Sequence, residues 1–218
     1  IFAFLNYLPY SKHFHIILAF PNTYYANLEA KGRFENNATV MKEVAMMMDP
    51  TADPFAAPAP DADAPVERFG AKDANDLSWA NLLNAYTCTE CGRCTSECPA
   101  NLTGKKLSPR KIMMDTRDRI EEIGVNIVAN GSFVDDGKSL LGDYITNEEL
   151  WACTSCNACV QACPVDIDPL NIIMKLRNFA TMEESSAPGA LNAMMTNVEN
   201  NGAPWPFNQM DRANWINE

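Results

Sequence analysis

Basic residues are scarce in this chain. Seventeen Lys and Arg face 28 Asp and Glu, for a formal net charge of −11. That balance excludes a nucleic-acid partner, because phosphate contacts need clustered Lys and Arg. It permits docking to a basic partner and keeps the surface solvated. Long apolar runs are also missing. The N-terminal stretch IFAFLNYLPYSKHFHIILAF is broken at Pro9, Lys12, His13 and His15, and a complete membrane-spanning helix needs about 18 or more uninterrupted apolar residues. The same stretch lacks the basic start and small-residue cleavage site of a signal peptide. There is no Ser-His-Asp set, no glycine-rich phosphate loop and no catalytic carboxylate pair, so no catalytic site is expected in the visible chain.

Cysteine, by contrast, is plentiful and ordered. The eight cysteines form two groups of identical spacing, Cys88-x2-Cys91-x2-Cys94-x3-Cys98-Pro and Cys153-x2-Cys156-x2-Cys159-x3-Cys163-Pro. Disulfide frameworks and paired-ligand zinc sites do not have this short, doubled spacing. It is the spacing of two-cluster [4Fe–4S] proteins, in which the fourth cysteine serves the other cluster. Three thiolates two residues apart wrap one cubane as the loop curls, while the fourth points the other way, where Pro ends the loop. The expected ligand sets are therefore Cys88, Cys91, Cys94 and Cys163 for one cluster, and Cys153, Cys156, Cys159 and Cys98 for the other. No Asp replaces a Cys in either group.

Four segments follow from composition. Residues 1–49 are an apolar, membrane-proximal stretch and the arm after it, with Tyr10, Lys12, Tyr24 and Tyr25 of the types that sit at a membrane–water boundary. A buried apolar arm is the alternative. Residues 50–66, PTADPFAAPAPDADAPV, read as an extended Pro/Ala-rich linker. Residues 67–182 hold an internal repeat in which each copy is a short helix, a cysteine loop and a longer helix. Thr146 with Glu149 predicts a capping box. Ser108–Pro109 and Asp168–Pro169 predict helix starts. Ile112, Thr116, Ile120 and Ile123 share one face, as do Ile172, Leu176 and Phe179. Gly124 is the expected stop of the first long helix, with turns and a small hairpin across 124–145. Residues 183–218 are expected to be an extended tail lying on another surface. The fold class is mainly α.

CTECGRCTSECPA and ELWACTSCNACVQACPVDIDPL resemble the α-helical ferredoxin module of the heterodisulfide reductase family, in its C- and D-type iron–sulfur subunits, and more distantly the iron–sulfur subunits of fumarate reductase and succinate dehydrogenase. The resemblance covers about residues 77–182. It implies two [4Fe–4S] clusters relaying electrons between a donor and a separate catalytic or quinone site. GAPWPFNQMDRANW is similar to the segment that precedes the cysteine-rich CCG domain in such proteins, departing from it at Ala203 and Pro206. LPYSKHFHI resembles the end of the last helix in the cytochrome b-type (gamma) membrane subunit of nitrate reductase, where a histidine at the position of His15 is a haem b ligand. The resemblance thus implies a fused or associated haem b membrane domain and a CCG domain as partners, with the iron–sulfur module on the cytoplasmic side of the cytoplasmic membrane. A chain beginning at Ile1 fits the middle of such a protein. Lys12, Lys31 and Arg33 agree with cytoplasmic placement. The alternative is a soluble ferredoxin-like subunit, without haem, serving a separate dehydrogenase.

By its residue type alone His15 stays open between an interfacial histidine and a ligand; His13, two residues away, cannot flank the same haem. Trp79, Trp151, Trp205 and Trp215 read as packing anchors. Arg93 and Lys111 read as solvated cations, with neutralisation of reduced clusters as the other reading.

Overall fold

The computed structural model describes residues 1–29, 32–34, 36–49 and 68–217; the Pro/Ala-rich segment 50–66 and Lys31 lie outside the described residues. The described residues are mainly helical, with no strand beyond one isolated bridge between Leu141 and Ile145. Two compact units are present, residues 1–183 and 184–218.

The first unit opens with α1 (Phe2–Tyr7), two single 3-10 turns and α2 (His15–Tyr24). No helix among the described residues is long and apolar enough to cross a membrane. Instead α2 lies against a later helix, Trp79–Thr87. Asn22, 2% exposed, donates from Nδ2 to Val165 O at 2.7 Å. Many apolar side chains of this arm face outward, among them Phe2, Leu5, Ile16, Ile17 and Phe20. The helix α3 (Ala38–Met48) begins at Asn37, whose Oδ1 accepts from Val40 N at 3.3 Å and whose Nδ2 donates to Phe69 O at 3.1 Å.

The repeat comes next, and both copies start on a side-chain cap. In the first, α4 (Trp79–Thr87) is capped by Ser78. Then follow the short turns α5 (Arg93–Ser96) and α6 (Pro99–Leu102), and the long α7 (Pro109–Asn130), capped by Ser108 with Pro109 at its first position. In the second, α8 (Asn147–Ala152) carries the capping box of Thr146 and Glu149. The turn α9 (Ala158–Gln161) and the long α10 (Pro169–Met182), capped by Asp168, complete it. Caps satisfy amide donors that the first helical turn leaves without partners. The core lies between the copies: Ile112, Met113, Leu150, Leu170, Ile172, Ile173 and Leu176 are all at most 2% exposed. Gly70 lets the chain before α4 press onto α10, since a Cβ there would overlap the backbone of Phe179 and Lys175.

Two expectations for residues 124–145 fail. Gly124 does not stop α7, which runs on to Asn130 and ends at Gly131 in the left-handed conformation (φ 80°). The extra turns are held by Asn126, which ties them to the returning chain, accepting from Val134 N at 2.9 Å and donating to Val134 O at 2.8 Å. The return over 131–145 is not a hairpin but a loop ending in one wide turn, Leu140–Tyr144, closed by Ile145 N to Leu140 O at 2.9 Å.

The second unit contains α11 (Gly189–Asn201) and a 3-10 segment, Gln209–Asn217. The expected extended tail is therefore helical over its first half. Its start at Pro188 and Gly189 is followed by the helix formers Ala190, Leu191, Ala193, Met194 and Met195. Trp205 and Trp215 are 65% and 73% exposed and do not anchor a core.

Candidate iron–sulfur centre

Each cysteine loop leaves its short helix at a capping cysteine, Cys88 after α4 and Cys153 after α8. The loops then curl through two left-handed positions. Glu90 (φ 59°) and Gly92 (φ 83°) serve the first, and Ser155 (φ 55°) and Asn157 (φ 61°) the second. Left-handed residues alternate with the cysteines, so the turn bends repeatedly in one sense. The two loops are thus the same structure built twice, and the turns α5 and α9 pack on each other.

The sulfurs gather in two places. A cavity of ≈ 210 Å³ is lined by Cys88, Cys91, Cys94 and Cys163, and also by Cys159. A narrower cleft of ≈ 10 Å³ is lined by Cys98, Cys153, Cys156 and Cys159. Each loop's first three cysteines therefore share a cavity with the fourth cysteine of the other loop. All eight cysteines are free. Among the described residues no set of His, Cys, Asp and Glu converges on a single metal ion; a cubane is larger than an ion and holds its ligand sulfurs further apart. The donor set, four thiols per site in apolar walls, is the one that [4Fe–4S] clusters take.

Burial pushes the thiols of Cys88, Cys94 and Cys153 above the usual cysteine range, with neighbouring thiols adding to the effect. Cys159 is pushed up to about 12, again by burial first and then by Cys153. Several thiolates this close in an apolar site need a compensating cation. Cys91 and Cys156, at matching positions, are exposed, so each site has one corner toward solvent.

The charged groups around the sites differ. In the first loop Glu90 bridges two cations, Lys12 Nζ at 3.0 Å and Arg117 Nη2 at 2.7 Å. Its carboxyl is held below the usual range, chiefly by Arg117 and then by Lys12. Arg93 and Arg110 reach the rim of the 210 Å³ cavity. Lys111 lines neither site: its ammonium is held by Asp115 at 2.7 Å, Glu149 at 2.9 Å and Tyr144 O at 2.9 Å. In the second loop Arg177 donates to Leu150 O and Cys153 O and lies 4.9 Å over the Trp151 ring. Arg177 lies far from the cysteines in sequence, and only its place on the apolar-striped α10 hinted that it could face them. His15 lines the first cavity, its ring Nδ1 turned to Lys12 O. Trp79 is a packing partner of Tyr25, edge to face at 4.9 Å.

Fold and site define an iron–sulfur protein whose eight cysteines gather in two places. Residues 87–167 match the family described as a 4Fe-4S dicluster domain. The chain is 31% identical over 245 residues to the probable iron–sulfur-binding oxidoreductase FadF of Bacillus subtilis, covering 99% of this chain and 32% of that protein. It is 28% identical to the EtfAB:quinone oxidoreductase of Syntrophomonas wolfei, covering 100% of this chain and 30% of the relative. Over 110 residues it is 31% identical to the C-type subunit of a CoB-CoM heterodisulfide reductase of Methanosarcina acetivorans, covering 50% of this chain and 54% of that relative. The chain is a heterodisulfide reductase-like iron–sulfur protein, and it spans about a third of the length of the first two relatives.

Proposed function

We propose that this chain is the electron-relay segment of a membrane-associated oxidoreductase. The observation that carries the reading is the pairing of the cysteine groups, with Cys163 in the cavity of Cys88, Cys91 and Cys94, and Cys98 in the cleft of Cys153, Cys156 and Cys159. Cys88, Cys91, Cys94 and Cys163 would hold one [4Fe–4S] cluster, and Cys153, Cys156, Cys159 and Cys98 the other. When bound, each cluster supplies a one-electron carrier. The protein's own part is to hold both close together, because each cluster's ligands come from both halves of the repeat. Buried Met113 walls the first cavity and buried Leu170 and Ile173 the second. Cys91 and Cys156 leave one corner of each toward a partner.

The names of both relatives support an oxidoreductase, and the name of the second supports quinone among its reactants. In this reading the haem b domain and the CCG domain are partners, fused or separate, and the exposed apolar arm 1–28 lies toward the membrane on the cytoplasmic side. His13 and His15 do not by themselves make a haem site, since they cannot flank one haem, and no haem step is assigned to this chain. The seating of α2 on α4, with Asn22 bonded to Val165 O, favours a second reading, in which the arm belongs to the module and the chain serves a separate dehydrogenase without haem.

Cys98→Ser and Cys163→Ser test the ligand sets. Under the proposal, Cys98→Ser degrades the cluster of the second group and Cys163→Ser that of the first, as read by EPR of the reduced protein. If each change instead harms the cluster of its own group, the crossed assignment is wrong.

A further inference from the structure

The two loops are alike in backbone and unlike in charge, and the difference centres on Arg177. Its guanidinium is half-buried on α10. Nη2 donates to Leu150 O at 2.8 Å and Cys153 O at 2.6 Å, Nε to Leu150 O at 3.2 Å, and Nη1 to Ser155 Oγ at 3.3 Å. The Trp151 ring closes the remaining face. Among the described residues no carboxylate pairs with it, so its positive charge is balanced by nothing but carbonyl dipoles, a hydroxyl and a ring face. The same loop aims Ser155 N at Cys153 Sγ, 3.4 Å away. At the matching position of the first loop stands Glu90, a carboxylate shared between Lys12 and Arg117.

An arginine stays protonated at any ordinary pH. The guanidinium is tied by geometry to the second group: it bonds the carbonyl of Cys153 at 2.6 Å, on the residue whose sulfur belongs to that group. One-electron reduction adds a negative charge among the four thiolates of the second group. A fixed, uncompensated cation beside those thiolates favours that added charge, and a partly buried site screens it less than water would.

We propose that Arg177 is a potential-setting residue: its uncompensated charge beside Cys153 raises the reduction potential of the cluster held by Cys153, Cys156 and Cys159 without touching the cluster of the first group. The inference rests on the proposed cluster assignment above.

The test is an EPR-monitored redox titration of the full chain with its clusters loaded, after iron and sulfide have been counted. In Arg177→Gln one of the two midpoint potentials falls, so that the reduced-to-oxidised ratio of that cluster at fixed potential drops about tenfold, or ~59 mV for a one-electron couple. Arg177→Lys keeps the charge and retains most of the wild-type potential. Ser155→Asp leaves Arg177 in place but sets a carboxylate against it, and lowers the same midpoint. If Arg177→Gln does not load its clusters, the Ser155→Asp and Arg177→Lys pair decides. Unchanged midpoints, or equal shifts in both clusters, overturn the role of Arg177. A wild-type chain that lacks two clusters overturns the assignment beneath it instead.

Discussion

Arg119 is fully buried, with 0% of its side chain exposed, yet it carries a charge. Its fork is closed by two carboxylates and a carbonyl. Nε and Nη2 donate to Asp73 at 2.9 and 2.7 Å, Nη1 and Nη2 to Asp136 at 2.6 and 2.9 Å, and Nη2 also to Lys138 O at 2.9 Å. Asp73 in turn accepts from Ala74 N at 2.8 Å and Leu140 N at 3.0 Å. One side chain on α7 therefore fixes both the turn before α4 and the return loop that leads into the second copy. Removing one partner of a buried ion pair costs about 3–5 kcal/mol, because the other charges are left without compensation. Asp73 keeps its two amide donors and Asp136 is partly exposed, so Arg119→Met should lie near the lower end, ~3 kcal/mol. At about 2–4 °C per kcal/mol for a domain of this size, the anaerobic thermal midpoint falls by about 10 °C. Arg119→Lys keeps the charge but loses the fork and falls in between. Lys106, whose contact with Glu148 is exposed on both sides, is the control, and Lys106→Met leaves the midpoint unmoved. A change within about 2 °C for Arg119→Met would refute the claim that this pairing organises the module.

The remaining predictions are simpler. The Arg119 guanidinium holds the Asp136 carboxyl down to about 2; a depressed carboxyl contributes stability above its ordinary range, so the gap between wild type and Arg119→Met should hold from about pH 7 to about 4 and narrow as pH falls toward about 2. Gly70→Ala drives a Cβ into the α10 backbone and costs about 2–3 kcal/mol, seen as a lowered unfolding midpoint; no change would mean that the two segments are not in contact. Thr146→Ala breaks the capping box of α8 and costs about 1 kcal/mol by the same assay, whereas Thr146→Ser, which keeps the hydroxyl, costs less.

The features legible in the sequence were those written in neighbouring residues. Thr146 with Glu149, Ser108–Pro109 and Asp168–Pro169 mark helix starts because a cap and the amide it satisfies lie within one turn. The cysteine spacing predicts the two sites for the same reason. What was not legible depended on distant partners. Gly124 reads as a stop, but a helix tolerates glycine at a cost of about 1 kcal/mol when contacts outweigh it, and the bonds of Asn126 to Val134, eight residues on, lie beyond the reach of a local reading. Arg119 and Arg177 carry no local sign of their roles, because their partners are 17 to 46 and 22 to 27 residues away. The polar composition of 183–218 suggested an extended tail, yet α11 forms from helix-favouring residues between a proline start and Gly202.

Two clusters shared between the halves of one repeat are the centre of the proposed relay. The most direct measurement is the iron and acid-labile sulfide content of the anaerobically prepared chain. Two cubanes predict about eight of each per chain, with all iron in [4Fe–4S] form. A content of about four of each would leave one cluster and break the relay, and zinc in place of iron would contradict the relay altogether.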